Sequence, residues 1–64
     1  MEAITLEIRT ENAAFEDGNY STEIARILRM AANRIEDTYN KNDSISFHLI
    51  DSNGNKVGWC QNEN

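Results

Sequence analysis

Proline is absent from this chain of 64 residues, cysteine occurs once and glycine three times. Without proline there is no slow prolyl isomerisation to limit folding. With Cys60 as the single cysteine, no intrachain disulfide can form, which excludes the stapled scaffolds of small secreted domains. One cysteine and one histidine, His48, also fall short of the ligand spacing of a zinc site. Long apolar runs are missing too. Nothing approaches the roughly 20 residues that a membrane helix needs. The stretch Met1 to Glu7 has neither the basic region nor the apolar core of a signal peptide, so a cytoplasmic protein without membrane contact is expected. Basic charge is scarce: six Lys and Arg stand against eleven Asp and Glu, a net charge of −5. Nonspecific binding to nucleic acid comes mainly from neutralising phosphates with Lys and Arg. A basic protein, or one that itself binds nucleic acid, fits the sign better as a partner. Sixty-four residues make one domain, 1–64, which buries only about 60% of the surface its unfolded chain exposes. A homodimer would be a direct way to gain burial.

What is present alternates, winds and alternates again. From Ala3 to Arg9, Ile4, Leu6 and Ile8 face one way while Thr5, Glu7 and Arg9 face the other, the pattern of a half-buried strand. Residues 10–20 are polar and turn-rich around Asp17-Gly18-Asn19, with Phe15 placed to pin the loop to the core. Ser21 to about Tyr39 reads as a helix with Ser21 at its N-cap and Glu23 in the first turn. Its core face is Ile24, Ile27, Leu28, Ala31, Ile35 and Tyr39, and Asn40-Lys41-Asn42-Asp43 stops it. Ser44 to Ile50 and Lys56 to Cys60 read as two strands around Asp51-Ser52-Asn53-Gly54-Asn55, a hairpin turn. The expected fold class is α+β, in the order β-α-β-β. It is a three-stranded, mainly antiparallel sheet with one helix packed on one face.

The hairpin register has two candidates. A two-residue Asn53-Gly54 turn pairs Leu49 with Gly58 and Phe47 with Cys60. A three-residue loop with left-handed Gly54 pairs Leu49 with Val57 and Phe47 with Trp59, which puts all four large apolar side chains on one face. The second is expected. The open face of the sheet would then carry Thr5, Glu7, Arg9, Ser46, His48, Ile50, Lys56 and Gly58, with Cys60 at its margin. Ile50 is the apolar residue out of place there.

No chemistry-bearing constellation emerges. His48 alternates with core residues and stands alone on the open face. Cys60 has no base supplied by a local motif. The Asp51 to Asn55 turn lacks the spacing and the terminal bidentate glutamate of a calcium loop. Gly54-Asn55-Lys56-Val57-Gly58 lacks the spacing and the helix of a phosphate-binding loop. Glu7, Glu11, Glu16 and Asp17 are too few, with Arg9 among them, for a mimic of DNA. No cofactor and no enzyme activity is expected. Two surfaces are left to weigh. Arg26, Arg29 and Arg34 lie opposite the helix core face and could touch nucleic acid, although Glu23, Glu36 and Asp37 share that side and offset them. Met30 also points outward, while the small Ala25 and Ala32 would let another element approach closely. With His48 and Ile50 on the sheet, these are the expected protein-binding residues.

Three stretches together resemble a family of short proteins encoded by bacteriophages, prophages and mobile elements. They are Thr10-Glu11-Asn12-Ala13-Ala14-Phe15, Glu23 to Ala32, and Leu49-Ile50-Asp51-Ser52-Asn53-Gly54-Asn55-Lys56-Val57-Gly58. The likeness runs from Ile4 to Gly58. It implies a bacterial host cytoplasm and a phage or mobile-element setting, and it brings no catalytic or binding residue with it. Proteins of this kind are often accessory binders, inhibitors of host defence among them. The expected function is therefore noncatalytic, by protein–protein binding. The alternatives are a nucleic-acid-binding module built on the helix arginines and a self-assembling structural protein.

Overall fold

The computed structural model describes residues 3–40 and 44–63. Its elements are strand β1 (Ala3–Ile8), a short 3-10 turn (Ala13–Phe15), helix α1 (Tyr20–Asn40), strand β2 (Ser46–Ile50) and strand β3 (Lys56–Glu63). The three strands form one antiparallel sheet in the order β1-β3-β2, with the helix on one face. This is the expected α+β architecture.

The helix starts one residue before the expected point. The Glu23 N–H donates to the Asn19 carbonyl, 2.8 Å away, so Asn19 closes the first helical bond and Ser21 lies inside the first turn rather than at the cap. On its sheet-facing side Ile27 and Ala31 are buried, and Ile24 and Ile35 pack partly against them. Leu28, expected in the core, stays 44% exposed. The side chain of Tyr39 and the stop at Lys41-Asn42-Asp43 lie outside the described residues. Phe15 is buried beside Ala14, pinning the loop as expected.

The hairpin satisfies both candidate registers in turn. The Asp51 carbonyl accepts from Gly54 N–H at 3.0 Å, the Asp51 N–H donates to the Asn55 carbonyl at 2.9 Å, and Gly54 takes a φ of +86°. This is the expected three-residue loop with left-handed glycine, and it pairs Ile50 with Lys56. The register then shifts between Leu49 and Ile50: Leu49 pairs with Gly58, Phe47 with Cys60 and His48 with Trp59. Val57 is thus an extra residue in β3, a bulge that re-aims everything beyond it. Two expectations are corrected by this. Trp59 crosses to the open face between Glu7 and His48. Gly58 and Cys60 turn to the helix side, opposite Ile8 and Leu6. The strand also continues three residues further than expected, because Gln61, Asn62 and Glu63 pair with Thr5, Ile4 and Ala3.

Cys60 is therefore at the centre of the core, 0% exposed. Burial pushes its thiol pKa above the ordinary 9.0, so it is held as the neutral thiol, the form that is a poor nucleophile. The thiol is expected to react with an aromatic disulfide reagent on the order of a thousandfold more slowly in the folded chain than in denaturant, at a rate set by opening of the core. Immediate native-state labelling would contradict this placement.

Candidate functional site

Strand β2 forms one edge of the sheet, and its free side meets helix α1 along a groove. The floor is Ile27, Ala31 and Leu49; the walls are Met30 and Arg34 on the helix and Phe47, His48 and Ile50 on the strand. Three of the five residues expected to bind protein, Met30, His48 and Ile50, are thereby brought together. Ala25 and Ala32 are not part of the groove. Met30 is 52% exposed, while Phe47 and Ile50 are half-buried. The enclosed space is only about 50 Å³, far below the roughly 300 Å³ at which small-molecule pockets begin. A wider depression of about 310 Å³ lies on the opposite side of the strand, between Ser46, His48, Trp59 and Gln61. Arg9 stands 5.8 Å from the centre of the Trp59 ring there.

The hydrogen-bonding phase of β2 follows from one contact. The Asn62 N–H donates to the Ile45 carbonyl at 2.9 Å, and such pairs recur at every second residue of an antiparallel ladder. Phe47 and Leu49 thus spend their backbone groups on β3, while Ser46 and His48 turn theirs out of the sheet. The Ile50 carbonyl is already occupied, by Arg26 Nη2 at 3.0 Å.

That contact belongs to a polar cluster the sequence did not reveal. Glu23, buried although charged, accepts from Arg26 Nε at 3.0 Å, from Arg26 Nη2 at 2.9 Å and from the Ser52 N–H at 2.7 Å. Asp51, also buried, accepts from the N–H groups of Asn53 at 2.9 Å and Asn55 at 2.8 Å and from Asn12 Nδ2 at 3.1 Å. The cluster ties three parts of the chain together: the first turns of α1, the hairpin loop and the segment before the 3-10 turn. Its signals in sequence were a Glu and an Arg three apart and an Asp opening a turn, both readable as ordinary local features. The bonded Arg26 guanidinium holds the Glu23 carboxyl below its ordinary 4.5, against the opposing effect of burial. Burial likewise pushes the Asp51 carboxyl up, but the hydrogen bonds from Asn55, Asn12 and Asn53 outweigh it and leave it below 3.8.

The three helix arginines consequently do not act alike. Arg26 is bound inward to Glu23 and to the hairpin. Arg34 lies over the Phe47 ring, 4.9 Å from its centre. Arg29 is exposed on another side of the helix. Among the described residues no three His, Cys, Asp or Glu side chains converge as metal ligands, and no described helix is long and apolar enough to cross a membrane. Comparison with protein-family models, with curated proteins and with solved structures finds no match.

Proposed function

We propose that this chain is a noncatalytic accessory protein of the phage type, acting in the bacterial host cytoplasm by binding protein, with host or defence proteins as the class of target. The observation that carries the reading is the edge formed by β2. Its sequence, Ser46-Phe47-His48-Leu49-Ile50, has no charged residue, and the backbone of Ser46 and His48 faces outward beside the exposed Met30. An exposed, uncharged edge strand is a template for pairing with another chain, and natural proteins usually blunt such edges with charge, proline or a cover. Addition of a strand to this edge would supply main-chain bonds, and the groove would supply side-chain contacts.

The test is a tagged pull-down from bacterial lysate, with and without nuclease, comparing the parent chain with Ile50→Asp. Ile50 is half-buried at the groove, so the variant's circular dichroism is checked first. A protein retained through nuclease and lost with Ile50→Asp is the expected result. Retention unchanged by the variant would remove β2 from the contact. Material that vanishes with nuclease would favour the arginines of α1 instead.

A further inference from the structure

The free edge of β2 is complementary to itself, and we infer that a second copy of this chain pairs with it, antiparallel, about a two-fold axis through Phe47. This rests on the reading of β2 as the contact surface and names its occupant. The outward backbone groups are few. Ile50 also faces outward, but its carbonyl is filled by Arg26, so the complete donor–acceptor pairs within β2 are the N–H and C=O of Ser46 and of His48. In an antiparallel ladder a hydrogen-bonded pair exchanges both bonds. Setting Ser46 against His48 of a second copy satisfies the N–H and C=O of both residues on each chain without calling on the occupied Ile50 carbonyl. An axis at His48 would set Ser46 against the occupied Ile50, and an axis at Leu49 would set His48 against it.

The side chains agree with that register. Phe47 would face its own copy in the close, non-hydrogen-bonded position, where Cα atoms approach to about 4.5 Å. Both rings lie on the helix side, where Phe47 is half-buried. Met30 stands beside them, 52% exposed in the monomer. Charge points to the same edge. A chain of net charge −5 opposes its own association, and β2 is the strand without charge, whereas β1 carries Glu7 and runs directly into Arg9 and Glu11. Five strand residues and one groove place the contact at the small end of specific interfaces, where association is reversible. Because like-charged chains meet, and two Arg34 guanidinium groups approach the axis, the dimer tightens as salt is raised.

Sedimentation equilibrium of the full chain tests this from about 5 µM to about 1 mM, a span suited to a small reversible interface. The expected result is a monomer–dimer equilibrium favoured by salt. His48→Pro, which removes an outward N–H, and Met30→Glu, which charges the groove wall, should each weaken it by about tenfold or more while the circular dichroism is retained. Mixed labelled and unlabelled protein should show an intermolecular nuclear Overhauser effect between the Phe47 Hα atoms. A monomer throughout overturns the inference, as does a dimer indifferent to both variants or an open polymer in place of a closed pair. A monomer that still captures a host protein in an Ile50-dependent way leaves the protein-binding reading standing with a different occupant. A monomer that captures nothing ends both.

Discussion

Replacing Gly58 with alanine is expected to cost at least about 3 kcal/mol, more than half of the stability of a domain this small. A Cβ at Gly58 would fall upon the Glu7 carbonyl oxygen, 2.7 Å from its carbon and 3.2 Å from Ile8 Cα. All three atoms are backbone of β1, so no rotamer change relieves the contact. Either β1 moves away from β3, or the bulge at Val57 that turns Gly58 toward it is undone. The first breaks the ladder around Glu7 and Trp59, and the second returns Cys60 and the strand beyond to the wrong faces. A domain of this length has a total stability of roughly 5 kcal/mol, so the thermal midpoint should drop by about 15 °C or more. Gly54→Ala is the control. Gly54 has φ +86° but open space around its Cβ position, so it should lose only about 1–2 kcal/mol, from left-handed backbone strain. Denaturant unfolding followed by circular dichroism separates the two. A Gly58→Ala variant within about 1 kcal/mol of the parent would mean that β1 does not pass Gly58 as described.

The same bulge marks where the sequence stopped being legible. Period-two alternation located β1 and β2, the helical spacing located α1, and Asp51 to Asn55 located the loop, because each of these is a local pattern. The register beyond the loop follows, in sequence, only from placing Phe47, Leu49, Val57 and Trp59 on one face. An extra residue at Val57 defeats that logic: it buries Val57 and then flips the phase, so Cys60 replaces Trp59 in the core. Gly58 was the clue, since a glycine inside a strand signals a bulge or a close approach, and here it serves both. Of the candidate site, helical spacing turns Met30 outward and strand alternation turns His48 and Ile50 outward. Their meeting in one groove required the strand order β1-β3-β2, which puts β2 at an edge and which alternation does not encode. Arg26 departs from its helical-wheel position for a related reason. A helix wheel centred on the apolar residues treats the flank as solvent, whereas the hairpin loop rises beside α1 and claims that flank with Asp51, Ser52 and the Ile50 carbonyl.

That flank makes the stability of the fold depend on pH in a defined window. Glu23 and Asp51 both have carboxyl pKa values lowered on folding, from ordinary values of 4.5 and 3.8. The folded chain therefore binds protons less readily than the unfolded one. The stabilisation is fully present above about pH 5 and is lost as pH falls through the ordinary values toward the lower folded ones. The thermal midpoint should be level from about pH 8 to 5.5 and fall steadily below about pH 4.5. Glu23→Gln should begin lower at neutral pH, by on the order of 2 kcal/mol or roughly 10 °C. The loss stays below that of a wholly buried pair, because the Arg26 side chain keeps 36% of its exposure and can be rehydrated. The amide of Gln can still accept from Ser52, so the fold survives and the measurement is possible. The two midpoints should approach each other as pH falls below 4.5 and converge only below the lowered folded value of Glu23, where the parent has protonated that carboxylate. Parallel curves for parent and variant would assign the acid transition to other carboxylates and leave the Glu23–Arg26 pair without its proposed role in locking helix to hairpin. Convergence would assign part of the acid transition to the Glu23 carboxylate, whose bonds to Arg26 and to the Ser52 N–H tie α1 to the hairpin loop.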